Sequence, residues 1–257
     1  MRMENRSRWR AIILDLDGTL LRSDGSISDY TLRVLEECKR RGILIIVATA
    51  RFWFKAEKYL DRIAPDYAIL ADGTQIYENG VMVWGQSLEK QQSDGIIKEL
   101  VQKKSSFVTS VGKTLLCSDA GIEEPWRLSH DFTKMPDGPV YKIAAVLRGH
   151  EEAEELAERY GCRLYSYRGE DLYGFANGNS GKYQAVRALG ELLQIGLEDM
   201  IAFGDDENDY EILKNAGRGI AVENAIPMIR EIADDITDSN DNEGVAKYIE
   251  KILGELL

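Results

Sequence analysis

Ile12-Ile13-Leu14-Asp15-Leu16-Asp17-Gly18-Thr19-Leu20 is the stretch from which the fold of this chain is read. A short apolar run near the N-terminus reads as a buried strand, and Gly18-Thr19 marks where the chain leaves it. Strand alternation sends Asp15 and Asp17 to the same side, at the strand's carboxyl end. Two like charges that close repel, and burying them unpaired is costly. A divalent cation is the simplest remedy, so metal-dependent chemistry is the leading idea. The plain alternative is a turn or helix cap, a common use of Asp before Gly-Thr. The nonapeptide alone does not separate the two.

Outward from it, the chain to about Leu70 alternates strand and helix. Ser28-Asp29-Tyr30-Thr31 opens a helix with Leu32, Leu35 and Cys38 on one face, and Gly42 ends it. Ile43–Val47 reads as a second buried strand, Ala56–Ile63 as a helix and Tyr67–Leu70 as a third strand. Continuous apolar strands separated by amphipathic helices predict a Rossmann-like α/β core, a parallel sheet with helices on both faces. The same grammar returns late: helices at Gly181–Leu193, Asp209–Asn215 and Pro227–Ala233, strands at Met200–Phe203 and Arg218–Val222.

Between these segments the pattern changes. Strands are expected at Val81–Trp84, Phe107–Val111, Thr114–Cys117, Tyr141–Leu147 and Arg163–Tyr167, with helices at Ser93–Lys103 and Glu151–Tyr160. This predicts a core built from residues 1–79 and 180–257 and an inserted α+β cap over 80–179, with hinges at Asn79-Gly80 and Asn177-Gly178.

The chain has 257 residues, long enough for a substantial core in one large or two modest domains. Its net charge of −12 argues against nucleic acid or an anionic membrane as partner. A small anionic substrate stays possible, because a metal and a few placed cations reverse the local field. Three cysteines (Cys38, Cys117, Cys162), odd in number and without a CxxC pattern, argue against disulfides and zinc and fit a reducing cytoplasm. The charged N-terminus, Met1 to Arg6, has no signal-peptide core, and no apolar run is long enough to span a bilayer.

Four separate segments carry a polar group at or after a strand end: Asp15-Leu16-Asp17-Gly18-Thr19, Thr49-Ala50-Arg51, Lys182 after Asn177-Gly178-Asn179-Ser180-Gly181, and Gly204-Asp205-Asp206-Glu207-Asn208-Asp209. In a parallel α/β sheet such ends converge on one crevice, where ligands bind. Taken in order, the four resemble the motifs of the haloacid dehalogenase-like (HAD) superfamily. The large insert and the tail Glu223-Asn224-Ala225-Ile226-Pro227 resemble its Cof-type phosphatases of subclass IIB.

That resemblance implies a Mg²⁺-dependent phosphatase acting on a small phosphorylated metabolite, perhaps a sugar phosphate, through an aspartyl-phosphate. It implies Asp15 as nucleophile and Asp17 as the acid that protonates the leaving alcohol and then takes a proton from water. Mg²⁺ would be held by Asp15, the backbone carbonyl of Asp17 and Asp205, with Asp209 in support or reaching it through water. Thr49 and Lys182 would grip phosphoryl oxygens, Gly18 would line the same substrate site, and Asn208 would bond the phosphate or orient Lys182. Three positions depart from the family pattern: Ala50 and Tyr183 stand where glycine is common, and Asp72-Gly73 where Asn-Gly is usual. A sugar phosphomutase and a phosphometabolite-binding regulator without turnover are the alternatives. Arg51 reads as a surface or helix-start cation, and Tyr165, Tyr167, Tyr173 and Phe175 as packing within the insert.

Overall fold

The computed structural model describes residues 9–118, 127–167 and 171–255, so the expectation for Met1–Arg6 lies outside the described residues. In chain order the elements are β1 (Ala11–Leu14), α1 (Asp29–Arg40), β2 (Leu44–Ala48), α2 (Trp53–Ile63), β3 (Tyr67–Leu70), β4 (Gln75–Glu78) and β5 (Val81–Gly85). There follow α3 (Lys90–Lys103), β6 (Phe107–Val111), β7 (Thr114–Cys117), β8 (Arg127–Ser129), β9 (Val140–Val146), α4 (His150–Tyr160), β10 (Cys162–Ser166) and β11 (Leu172–Asn177). The chain closes with α5 (Lys182–Leu193), β12 (Met200–Gly204), α6 (Tyr210–Asn215), β13 (Arg218–Val222), α7 (Pro227–Ile232), β14 (Asp235–Thr237) and α8 (Gly244–Glu255).

One sheet runs β14-β13-β12-β1-β2-β3-β4-β5, parallel from β14 to β3 and antiparallel beyond. Its central strands are apolar on both faces because helices cover both. Ile12, Leu14, Ile45 and Val47 pack with α1, α2 and α8, while Ala11, Ile13, Ile46 and Ala48 pack on the other side with α5. This is why β1 and β2 read as unbroken apolar runs. From β1 the chain winds outward through β2 and β3, then returns to lay β12, β13 and β14 on the other side. The carboxyl ends of β1 and β12 therefore meet where the winding reverses, the place where an open α/β sheet leaves a crevice.

The second sheet runs β10-β11-β9-β6-β7-β8 and carries its own apolar layer under α3 and α4, built on Ile96, Leu100, Ile143, Leu156 and Phe175. Register decides what its other face shows. Leu164 lies opposite Phe175 and Tyr165 opposite Gly174, which lies opposite Ala144. Alternation then puts Tyr165, Gly174, Ala144 and Lys142 on the face away from the helices.

The fold differs from the sequence reading in identifiable places. Val81–Trp84, expected in the insert, pairs with β4 and belongs to the larger sheet. Asn79-Gly80, expected as a hinge, is the two-residue turn of that hairpin, with both residues at positive φ (48° and 75°). Asn-Gly is the dipeptide that such a turn prefers, and its reading as a linker overlooked this. The chain changes sheets a few residues later, where Gln86 N–H donates to Thr74 and Leu88 N–H to Val140. β4, β8, β11, β14 and α8 were not foreseen. The three cysteines are free. Among the described residues no helix is long and apolar enough to cross a membrane.

Candidate active site

The floor of the crevice is a cluster of three carboxylates around one ammonium. Asp15 follows β1 directly, and Lys182 is the first residue of α5. Lys182 Nζ donates to Asp15 Oδ1 at 2.6 Å and to Asp209 Oδ1 at 2.8 Å. Asp209 Oδ2 in turn accepts from the backbone N–H of Asp205 at 3.1 Å, which fixes the acidic turn after β12. Ligand oxygens of Asp15, Asp205 and Asp209 lie within 4.8 Å of one another.

Burial raises the Asp15 carboxyl well above its usual range. Lys182 works against that rise, and Asp209 and Asp205 add to it. Asp205 is pushed up to about 7, first by burial and then by Asp209, against the opposing pull of Thr19 and Lys182. Burial alone would lower Lys182, but Asp15 and Asp209 outweigh it and hold the ammonium charged. Three carboxylates against one cation leave a surplus of negative charge in a place that water barely reaches.

The turn after Asp15 shapes the space beside this surplus. β1 stops at Leu14, and residues 16–20 form a wide turn with Gly18 at φ 75°. A Cβ on Gly18 would lie 2.3 Å from Asp205 Oδ2, so the glycine keeps open the room that oxygen faces. Thr19 Oγ1 donates to the other oxygen of Asp205 at 2.7 Å, and Asn224 Nδ2 pins the Gly18 carbonyl at 2.7 Å. Hard oxygen donors, surplus negative charge and a cradle that a side chain would fill suit a divalent cation such as Mg²⁺.

Asp17 departs from the sequence reading. Strand geometry ends before it, so its carboxylate does not lie alongside that of Asp15. It is 57% exposed and held bidentately by Arg51, at 2.6 and 2.7 Å. Arg51, read as a plain surface cation, is the partner of the expected acid. Asp15 and Asp17 nevertheless line the same cleft of about 740 Å³, together with Thr49, Asp205 and Asn208. Thr49 is buried, and its Oγ1 accepts from the Arg51 N–H at 3.2 Å. Asn208 is exposed on the rim, and the task of orienting Lys182 falls to Asp209.

The roof of the cleft comes from the second sheet. Tyr165, Ser166 and Tyr167 line it, whereas Tyr173 and Phe175 are buried under the helices. The aromatic group expected to pack as one set is therefore split by sheet face. Lys142, buried in β9, donates to the Asp72 carboxylate and to the Ala50 carbonyl at 3.2 Å. Tyr167 Oη donates to Asp72 Oδ2 at 2.7 Å and Tyr165 Oη to the Asp72 carbonyl at 3.3 Å. Lys142 was missed in the sequence. Its signal was a single cation inside the apolar strand Val140-Tyr141-Lys142-Ile143-Ala144.

The haloacid dehalogenase-like hydrolase pattern matches residues 12–249. The chain belongs to that family. Similar proteins include the 5-amino-6-(5-phospho-D-ribitylamino)uracil phosphatase YwtE of Bacillus subtilis, 25% identical over 95% of this chain and 98% of the relative. The phosphoglycolate phosphatase of Methanopyrus kandleri is 25% identical over 95% and 97%. Among solved structures, the HAD subclass IIB sugar phosphatase BT4131 superposes with a TM-score of 0.80, covering 96% of this chain and 100% of its own at 18% identity. That last likeness is one of fold. The family and the phosphatase class expected from the four segments are thereby met.

Within the haloacid dehalogenase-like hydrolases, the three departures now have physical settings. Ala50 offers its carbonyl to Lys142. Asp72 has φ 57°, a left-handed conformation that Asp and Asn tolerate better than most residues, so this exchange preserves the turn. The next residue, Gly73, cannot vary in the same way: at φ 83° its Cβ would lie 2.2 Å from the Gly181 carbonyl. That close approach seats the start of α5 and therefore Lys182. Tyr183 packs against the apolar layer between α5 and the sheet, away from the reacting groups.

Proposed function

We propose that this hydrolase is a Mg²⁺-dependent phosphatase of small phosphorylated metabolites, working through an aspartyl-phosphate on Asp15. The observation that carries the reading is the floor cluster, a buried carboxylate aligned by a buried ammonium beside a second acidic turn. When bound, Mg²⁺ would be held by Asp15, Asp205 and the Asp17 backbone and would neutralise charge on the phosphoryl oxygens. Asp209, with both oxygens occupied by Lys182 and the Asp205 amide, acts as a support for the site.

In the first step a carboxylate oxygen of Asp15 forms a bond to phosphorus while the bond to the leaving oxygen breaks, and Asp17 supplies the proton that oxygen needs. In the second, water attacks the phosphoryl group, Asp17 takes back a proton, and the bond to Asp15 breaks. Asp17 must leave Arg51 to do this, so Arg51 is the resting partner of the acid. Thr49 and Lys182 hold equatorial oxygens, with Asn208 and the Gly18 turn at the rim.

The second sheet with α3 and α4 serves as a cap that closes the cleft and excludes water. We place its start after β5, between Gln86 and Leu88, and its end at Asn177 to Gly181. Trp53, stacked on Tyr77 at 4.7 Å, takes the Lys113 ammonium of the cap 3.5 Å from its ring centroid. The free cysteines support a cytoplasmic setting. Phosphate release from p-nitrophenyl phosphate tests the reading. Release is expected with Mg²⁺ and is expected to stop with EDTA, whereas a rate indifferent to both would overturn the metal dependence.

A further inference from the structure

The walls of the cleft are one-sided in charge. Asp15, Asp17, Asp72, Asp205, Asp206 and Glu207 line it, and among the described residues no lysine or arginine does so except Arg51, whose guanidinium is committed. Each cation close by is already engaged. Lys182 is held by Asp15 and Asp209, Lys142 by Asp72, and Arg51 by Asp17. Arg163 donates to the Ser180 carbonyl at 2.8 Å and lies 5.6 Å from the Tyr165 ring centroid. Lys55 is exposed and does not line the cleft.

Mg²⁺ and Lys182 together neutralise one phosphoryl group at the floor, and nothing in the described roof remains to neutralise a second anion. A carboxylate or second phosphate carried into this space would lose its water and meet acceptors and like charge. Hydroxyl and ammonium groups would meet the reverse. The roof offers the phenols of Tyr165 and Tyr167 and the Ser166 hydroxyl beside them, with Asp206, Glu207 and Asn208 across from them. A cleft of about 740 Å³ suits a leaving group of several carbons.

We infer that the enzyme selects phosphate monoesters whose leaving group bears no anion, a neutral hydroxylated or ammonium-bearing group seated under Tyr165 and Tyr167. The balanced Asp72–Lys142 pair sets this preference, because its neutrality keeps the roof from becoming a cationic second anchor. This rests on the phosphatase reading and narrows it to a class of substrate.

Glucose 6-phosphate, glucosamine 6-phosphate and 6-phosphogluconate are close in size and differ in charge at the far end, so they test it. Steady-state kcat/KM with Mg²⁺ is expected to favour the first two over 6-phosphogluconate by about tenfold or more, the scale of one unscreened charge contact. Calorimetric binding to the Asp15→Asn protein is expected to give the same order without turnover. Equal or better use or binding of 6-phosphogluconate overturns the inference, as does a failure of all three to bind. If no ester, p-nitrophenyl phosphate included, releases phosphate, the phosphatase reading falls while the binding order still decides the charge preference.

Two variants separate electrostatics from folding. Asp72→Asn frees the Lys142 charge and is expected to narrow the discrimination against 6-phosphogluconate. Lys142→Met leaves Asp72 bare and is expected to widen it. Shifts of both in one direction would show a merely structural pair and overturn its part in selection.

Discussion

Two lysines are buried at the join of the two sheets, and their surroundings differ in charge balance. Lys182, 3% exposed, sits among Asp15, Asp209 and Asp205 and is raised, since the carboxylates outweigh burial. Lys142, 2% exposed, has Asp72 alone, and burial wins, pulling it below its ordinary value despite that partner. The floor stores surplus negative charge and calls for a further cation. The roof is balanced one to one, and needs nothing more to be stable. A buried pair of the second kind contributes little net stability, and its use lies in what it admits.

The sharpest way to break this contrast is at the nucleophile. Asp15→Asn removes the oxygen that attacks phosphorus and is expected to lower phosphate release by about a thousandfold or more, as loss of a covalent nucleophile does. Lys142→Met should not approach that loss, since it touches no reacting atom. An Asp15→Asn enzyme as fast as the parent would remove the floor from catalysis altogether.

Stability gives the next largest effect. Lys182→Met strands at least two buried carboxylates and is expected to cost about 3–5 kcal/mol in urea unfolding of the metal-free protein. Lys142→Met strands one and should also be costly alone. The double variant Lys142→Met, Asp72→Asn should return to within about 1–2 kcal/mol of the parent, because a balanced pair is replaceable. Pairing Lys182→Met with Asp15→Asn should not restore the floor, since Asp209 and Asp205 remain.

The floor was legible in the sequence and the roof was not, for a physical reason. Asp15, Thr49, Lys182 and Asp205 each sit at or near the end of an apolar strand or at a helix start, and a parallel sheet brings such ends to one side. Lys142 and Tyr165 reach the cleft only through the antiparallel register of β9, β10 and β11, and β11 itself was not anticipated. The strand-alternation argument failed at Asp17 because β1 ends three residues earlier, and Arg51 went unrecognised because its partner was placed elsewhere. Asn79-Gly80 was misread because one dipeptide serves both linkers and tight hairpins.

The smallest expected effect is also the most direct measure of the surplus charge on the floor. Asp205 is raised to about 7 from 3.8, so the folded protein keeps that proton after the unfolded chain has lost it. Over this range the native state binds more protons than the unfolded state, and stability falls as pH rises from about 4 to about 7. Above 7 the penalty is complete. Asp205→Asn carries no such penalty, so the melting temperature of the metal-free variant minus that of the parent should grow between about pH 5 and pH 8. A gap of several degrees is expected at about 2–4 °C per kcal/mol for a chain of this size. Because the three carboxylates titrate together, the midpoint belongs to the cluster. Mg²⁺ added at pH 8 should raise the parent and leave the variant nearly unmoved, since only a ligand that binds the native state shifts the transition. A difference constant with pH would mean that the floor carries no surplus and that its likeness to the roof is closer than the distances imply.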